Sequence, residues 1–400
     1  MMHIIYTTHE YPRPGRAHGG IGRKLQILAR HLVQAGHRVT VLGLGAADAE
    51  DSDQGVRIRE VQAARGLPGV RIFLNRRIVR RAIMQLIKET QVDLVEFQDS
   101  YVGLMPLGLP VPVVVRFSNT HTLYAAKLGR KPRFFRSWLE KRYLPKAFAY
   151  ASCSAHVADT TARLFGLDHR IIRVLYNPID LAEYPPPDVR KICKGMVVFV
   201  GTVYWVKGVF ELMEAFRLVK QTHPGCSLYL LGRDQQLPDR PGTSTMEELK
   251  RRLPASLVDS VHFMGHQPRA TVLDYLAKAE VFVLPSYSEG HSNAVTEAQA
   301  MGKAIVFGAN DAAAEVIEHG VSGLLANPRD PADIAWQVCR VLDDTPLRDA
   351  MGLAARRLAE TKFSIDVLLS ANLDFYETTL AKWRDGHRVQ GASRNPAKKA

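Results

Sequence analysis

Two carboxylates, Glu289 and Glu297, stand with seven residues between them within residues 286–302, SYSEGHSNAVTEAQAMG. An apolar strand ending at Pro285 precedes them, a loop carries Glu289 and Gly290, and a helix is expected to start near Ser292 or Asn293. Glu297 then lies one turn into that helix. A helix N-terminus offers unpaired N–H groups and the positive end of a dipole, which together make an anion site. Carboxylates do not bind phosphate, but they accept hydrogen bonds from hydroxyls. The combination suits a ligand with a diphosphate between two sugars. Two carboxylates that only complement the helix dipole would show the same spacing, and the pattern alone leaves both readings open.

A second strand end, residues 199–208 FVGTVYWVKG, places Lys207 in a loop that opens a helix, where a lysine can meet a phosphate as a point charge. An exposed lysine without a role has the same appearance. The third candidate is the loop holding Gly15, Gly19, Gly20 and Gly22, where glycines let the backbone approach a ligand. It lacks the dinucleotide fingerprint G-x-G-x-x-G, Gly43-Leu-Gly45 echoes that fingerprint only in part, and no G-x-x-x-x-G-K-[ST] loop occurs. Asp51-Ser-Asp53 is formally D-x-D, but it falls in an Ala/Asp/Glu-rich turn rather than at a strand end. No His/Cys cluster has metal-ligand spacing, so no metal is expected.

These loops need strands and helices to hold them. Short apolar runs at 4–7, 38–42, 56–61, 94–97, 111–117 and 171–175 read as strands, and helical patterns at 21–34, 73–90, 132–149 and 155–165 lie between them. The alternation restarts after 184–191, YPPPDVRK, whose three prolines cannot enter a helix or a central strand. Strands follow at 196–200, 227–231, 261–264, 281–284 and 304–307, with a helix from about 208. Strand–helix alternation implies parallel sheets covered on both faces. Two doubly wound α/β domains of similar size are therefore expected, with ligands at the carboxyl ends of the strands. The boundaries fall at 1–187 for the first domain and 188–362 for the second. A helix over 363–386 should cross back to the first, and 387–400 reads as a disordered tail.

A chain of 400 residues with 46% hydrophobic and 23% charged residues is ordinary for a globular protein of two domains, which excludes collagen-like, disordered and disulfide-scaffold classes. Its four cysteines, Cys153, Cys193, Cys226 and Cys339, read as reduced and mostly buried thiols of a reducing compartment. The first residues hold no signal-peptide core, and no run of about 18 apolar residues exists to span a membrane. A cytoplasmic location follows as the expectation.

With these residues in view, the chain resembles the retaining glycosyltransferases of family four, whose fold is the two-Rossmann GT-B architecture. The likeness covers roughly residues 1–380. It rests on the E-x7-E pattern of Glu289 and Glu297 followed by Ala298, Ala300, Met301 and Gly302, and on Gly201, Lys207 and Gly208. Gly19, Gly20, Leu28, Ala29 and residues 36–42 match the family's first loop, helix and strand, and residues 320–325 and 177–180 are also alike. The resemblance implies a hexosyltransferase that moves a sugar from a nucleotide diphosphate sugar to an acceptor hydroxyl, without metal or cofactor, in bacterial-type polysaccharide or glycolipid synthesis. Glu289 would bind donor-sugar hydroxyls. Gly290, His291 and the N–H groups at Ser292 and Asn293 would hold the sugar and diphosphate, and Glu297 the ribose. Lys207 would neutralise the leaving diphosphate beside Gly201, with Gly20 approaching from the other domain.

Three departures stand out. Thr202 replaces a frequent arginine, with Arg116 and Arg233 as substitutes. Either Ser118 or His121 occupies the position of a family histidine, and His121 is taken as the catalytic candidate. His291 stands where an aromatic is usual. A nucleotide-sugar epimerase on the same fold and a non-catalytic nucleotide-sugar binder are the alternatives.

Charge is uneven along the chain. Residues 1–190 hold 28 basic and 16 acidic side chains, whereas 191–400 hold 25 and 24. Arg76, Arg77, Arg80 and Arg81 share one helical pattern. A second cluster from Lys127 to Lys146 contains Phe134, Phe135 and Trp138 and opposes its basic residues with Glu140 alone. Such a surface suits an anionic membrane and a lipid-linked acceptor. A soluble anionic glycan acceptor, or a plain solvated face, fits the composition too. Nucleic acid is not expected, because no binding motif accompanies the charge.

Overall fold

The structure, a computed structural model, describes residues 1–13, 19–127, 129–238, 240 and 242–393. Gly15 of the glycine-rich loop and residues 394–400 lie outside the described residues.

The chain divides into two compact units, Met1–Pro178 with Ile365–Ala400, and Ile179–Ser364. The first contains β1 (His3–Thr7), α1 (Gly20–Gln34), β2 (Arg38–Gly45), β3 (Ala49–Asp53), β4 (Val56–Gln62), α2 (Pro68–Thr90), β5 (Leu94–Gln98), β6 (Val113–Phe117), α3 (His121–Lys127), α4 (Phe134–Tyr143), β7 (Ala149–Ser152), α5 (Ala155–Phe165) and β8 (Ile172–Val174). Its eight strands form one sheet in the order β3-β4-β2-β1-β5-β6-β7-β8. All pairs are parallel except β3 with β4. The central strands are buried along their whole length, as a parallel sheet covered on both faces requires. On α1 the residues Leu25, Leu28, Ala29 and Leu32 form the buried face.

The second unit contains β9 (Met196–Val200), α6 (Val209–Thr222), β10 (Ser227–Leu231), α7 (Thr245–Arg252), β11 (Val261–Gly265), α8 (Arg269–Lys278), β12 (Val281–Leu284), α9 (Asn293–Ala300), β13 (Ile305–Gly308), α10 (Ala313–Val316), β14 (Leu324–Ala326), α11 (Pro331–Asp343) and α12 (Thr345–Leu358). Its six strands are all parallel, in the order β11-β10-β9-β12-β13-β14. The chain then returns to the first unit through α13 (Ile365–Ser393).

Several expectations change. The helix expected over 132–149 stops at Tyr143 because Pro145 cannot continue it, and Ala149 already belongs to β7. Asp51-Ser-Asp53 lies in β3, which is held antiparallel to β4 by tertiary pairing that its polar residues do not announce. The proline run is strapped to the second unit: Tyr184 is buried, and a Cβ on Gly302 would strike the Pro187 ring. The boundary therefore falls at Pro178 rather than at 187. Residues 387–393, expected in a disordered tail, continue α13. Cys193 is exposed, whereas Cys153 and Cys226 are buried.

Within the first unit, α13 closes over a buried polar network. Arg116 donates to both Glu96 oxygens at 2.8 and 3.0 Å, to Asn372 Oδ1 at 2.8 Å and to the Tyr376 hydroxyl at 3.1 Å. The Tyr376 hydroxyl donates to Glu96 at 2.8 Å and meets the Tyr6 hydroxyl at 2.9 Å. Burial opposes charge on both members of the pair. Their mutual attraction and hydrogen bonds prevail, holding Glu96 below and Arg116 above their ordinary ranges. No helix among the described residues is long and apolar enough to cross a membrane.

Candidate donor site

The order of the second sheet reverses between β9 and β12, the kind of switch point at which open parallel sheets bind ligands beyond the carboxyl ends of their strands. Lys207 follows β9, and Glu289 follows β12. Gly208 makes the first loop possible. Its φ is +68°, and a Cβ there would lie 2.0 Å from the Pro285 carbonyl oxygen, so only glycine fits. The two loops are laced together by Tyr287 N–H donating to Val206 O at 2.9 Å and by the Ser286 hydroxyl donating to the same oxygen at 3.3 Å.

This stitching brings Lys207 Nζ to 2.5 Å from Glu289 Oε1, with side chains 25% and 11% exposed. The pair is thus half-buried and within reach of a ligand. Immediately beyond, Ser292 caps α9, whose first turn begins at Asn293. His291 is buried edge-on against Phe363, with ring centroids 5.2 Å apart, and so does the packing of the aromatic usual there. Gly290 is half-buried between Glu289 and the helix start.

Glu297 faces Arg269, whose Nη1 lies 3.2 Å from Glu297 Oε1 and whose Nη2 lies 2.9 Å from Glu183 Oε2. The Arg269 guanidinium also sits 4.9 Å over the Tyr184 ring. Sequence reasoning missed Arg269, because its partner Glu183 comes from a distant segment that only the fold brings near. Arg233 lies in the loop after β10, whose carbonyl oxygen accepts from Val203 N–H at 2.8 Å, next to Gly201. Its guanidinium has no partner among the described residues. Arg116, the other substitute for the missing arginine, is excluded by its engagement with Glu96 inside the first unit.

In the first unit, Gly20 opens α1 and is exposed. Gly22 is the position that demands glycine, since a Cβ there would lie 1.7 Å from the Glu10 carbonyl oxygen. Ser118 directly follows β6, whereas His121 starts α3. The His121 backbone N–H donates to Glu140, and its Nε2 accepts from Arg133 N–H at 3.0 Å. Burial and the neighbouring Arg136 and Arg133 lower its pKa, favouring the neutral imidazole. A buried lysine on α1, Lys24, also reaches Ser118, with Nζ 2.8 Å from Ser118 Oγ. The signal available for it was a cation on the same face as Leu25 and Leu28.

Among the described residues no cluster of three or more His, Cys, Asp or Glu side chains gathers as for a metal. Asp53 of the D-x-D accepts from Arg30 at 2.7 and 3.0 Å, from the Tyr11 hydroxyl at 2.9 Å and from Gln26 at 3.1 Å. Of the four clustered arginines of α2, Arg76, Arg77, Arg80 and Arg81, Arg76 turns inward, donating to Gly103 O and the Tyr143 hydroxyl and stacking on the Tyr143 ring. Arg77, Arg80 and Arg81 are exposed.

Comparison with known proteins speaks to the family and the fold. Residues 18–183 match the model described as Glycosyltransferase Family 4, and residues 194–344 match that of Glycosyl transferases group 1. A glycogen synthase of Mycobacterium tuberculosis is 26% identical over 94% of both chains. A D-inositol 3-phosphate glycosyltransferase of Mycolicibacterium vanbaalenii is 30% identical over 71% of this chain and 66% of its own. Among solved structures, sucrose-phosphate synthase from Thermosynechococcus elongatus superposes with a TM-score of 0.79 at 18% identity, covering 96% of this chain and all of that one. Anabaena HepE in complex with UDP-glucose superposes with a TM-score of 0.71 at 18% identity, over 96% of this chain and all of that one.

Proposed function

The chain belongs to glycosyltransferase family 4, with the GT-B fold and a nucleotide sugar as donor, and on that premise we propose that it is a retaining, metal-independent hexosyltransferase of polysaccharide or glycolipid synthesis. The observation that carries the proposal is the half-buried Lys207–Glu289 pair beside the start of α9, at the reversal point of a parallel sheet.

In this reading the Lys207 ammonium and the first N–H groups of α9 meet the diphosphate. Glu289 accepts hydrogen bonds from the transferred sugar, and Glu297, steadied by Arg269, accepts those of the ribose. Preorganised positive groups act most strongly where charge develops, here on the departing phosphate oxygen. The bond between the anomeric carbon and that oxygen breaks. The acceptor oxygen bonds to the same face of the carbon, and its proton passes to the leaving phosphate. No protein nucleophile is required, and Lys207 with the helix dipole supplies the charge that a divalent cation would otherwise bring.

Thermal stabilisation across a panel of nucleotide sugars, UDP-glucose first, tests the donor site. A wild type stabilised by none of them overturns the proposal. Activity should survive excess EDTA, and loss that magnesium restores would overturn metal independence. NMR of the product anomer decides retention, and free epimer formed without an acceptor would favour the epimerase alternative.

We also propose that the first unit rests on an anionic membrane surface. Leu67, Val70, Phe73, Phe134, Phe135 and Trp138 are exposed, Phe134 by 83%, among Arg77, Arg80, Arg81 and Arg136. The two helices that carry them meet through Arg76 and Tyr143. Each basic residue near such a surface contributes on the order of 1 kcal/mol. Wild type should sediment with anionic but not neutral liposomes and release at high salt, and Arg77/Arg80/Arg81→Ser should bind at least about tenfold less. Indifference of the wild type to anionic liposomes would assign this face to solvent or to a soluble acceptor.

A further inference from the structure

The first sheet reverses its order between β1 and β5, and the carboxyl ends of strands at such a switch point are where open α/β sheets take ligands. Three polar residues meet there from separate segments. Lys24 comes from α1, after β1. Asp99 follows β5, and Ser118 follows β6.

Asp99 is 2% exposed and fixes the backbone of the third loop: its Oδ2 accepts from Ser118 N–H and Asn119 N–H, both at 2.7 Å. Its Oδ1 accepts from Ser100 N–H at 2.8 Å. Lys24 is also 2% exposed, and its Nζ donates to Ser118 Oγ at 2.8 Å. A lysine ammonium has three donors and no acceptor. It therefore occupies a lone pair of Ser118 and directs the serine proton elsewhere. Ser118 itself is half-buried rather than enclosed, unlike Lys24 and Asp99.

Burying an ammonium is costly unless it is paired. The charged or titratable groups facing Lys24 are Arg116 on β6, Glu96 on β5, Asp99 and Cys153, and Glu96 is already committed to Arg116. Burial and Arg116 pull Lys24 down to about 8, so it is charged at neutral pH and loses its proton just above. Packing alone would be met without that cost by an apolar side chain like its neighbour Leu25.

We infer that Lys24 is a positioning residue of the transferase reaction, fixing the Ser118 hydroxyl as a hydrogen-bond donor toward an oxygen of a bound sugar substrate. The inference rests on the reading of the second unit as the nucleotide-sugar site. The ligand chemistry is that of a sugar hydroxyl, which either the transferred sugar or the acceptor can present.

The test compares wild type with Lys24→Met, Lys24→Arg and Ser118→Ala, using the nucleotide sugar that stabilises the wild type. Hydrolysis of that donor to free sugar and transfer to a panel of nitrophenyl glycosides are both measured. Lys24→Met and Ser118→Ala should each lower at least one rate about tenfold or more, while keeping the wild-type affinity for that donor's nucleoside diphosphate and a melting temperature no lower than wild type. A loss in both rates assigns the oxygen to the transferred sugar, and a loss in transfer alone assigns it to the acceptor. The wild-type rate should fall above about pH 8, and Lys24→Arg, which keeps its charge, should retain the rate and lose that fall. Both rates unchanged in Lys24→Met and Ser118→Ala would overturn the inference. So would a drop in rate that tracks a drop in melting temperature. A wild type stabilised by no nucleotide sugar fails the donor reading itself, which is a separate result.

Discussion

The two units each contain one well-made carboxylate–cation pair near the centre of a parallel sheet, and the two pairs are built for different ends. Glu96 and Arg116 are 0% and 3% exposed, joined twice, and closed in by Asn372, Tyr376 and Tyr6. Glu289 and Lys207 are joined once, remain 11% and 25% exposed, and stand beside a helix N-terminus. A charge pair whose remaining hydrogen-bonding sites are filled by protein belongs to the architecture. One that stays partly exposed is available to a ligand. The charge balance differs in parallel: the first unit carries 33 basic and 17 acidic side chains, the second 20 and 23. Anion attraction over a broad surface is thus a property of the first unit. In the second the charge is nearly balanced, and the anion site proposed there is local, made from one lysine and one helix end.

The contrast predicts effects of different kind and size. Arg116→Met leaves Glu96 buried without its cation and should cost about 3–5 kcal/mol of stability by chemical denaturation, whereas Lys207→Met should cost no more than about 1 kcal/mol. Equal losses would abolish the distinction between the pairs. The sign with pH follows from Glu96, whose carboxyl is held below its ordinary value of 4.5 despite burial. Its contribution is present above that value and lost as pH falls through the lower, folded one. Wild type should therefore lose stability steeply in acid below pH 4.5, and Arg116→Met should lose that steepness.

Next in size, Glu289→Gln should slow turnover at least about tenfold, roughly 1.4 kcal/mol in the transition state, with melting temperature nearly unchanged. An active Glu289→Gln enzyme would remove Glu289 from the chemistry. Smaller again, Lys207→Ala should weaken binding of the nucleoside diphosphate product several-fold by calorimetry, about 1 kcal/mol. Unchanged affinity would make Lys207 a partner of Glu289 and nothing more.

The second unit was the more legible in sequence, for a physical reason. Its site is assembled from two strand-end loops whose glycines, lysine and carboxylates are local in the chain. Gly208 and Glu289 could be read from spacing because each answers to its own loop. The first unit's centre depends on α13, where Asn372 and Tyr376 meet Arg116 across more than 250 residues. No pattern in residues 113–117 distinguishes an arginine bound for phosphate from one bound for Glu96. The same limit hid Arg269, whose partners Glu183 and Glu297 lie on opposite sides of it in the chain. It also hid β3, whose residues Ala49–Asp53 have little strand preference and are held by pairing with β4.

By itself, then, the sequence determined the alternation of strands and helices, the two-unit plan, the loops after β9 and β12, and the family. Those features rest on periodicity, on glycine where a backbone passes close by, and on short spacings. Tertiary structure alone decided that Lys207 pairs with Glu289, that Arg116 and Arg76 turn inward while Arg77, Arg80 and Arg81 face solvent, that the proline run belongs to the second unit, and that Lys24 is buried against Ser118. Each of those outcomes depends on which distant group fills a polar atom's last hydrogen bond, and that is settled only when the sheets are formed and their faces covered.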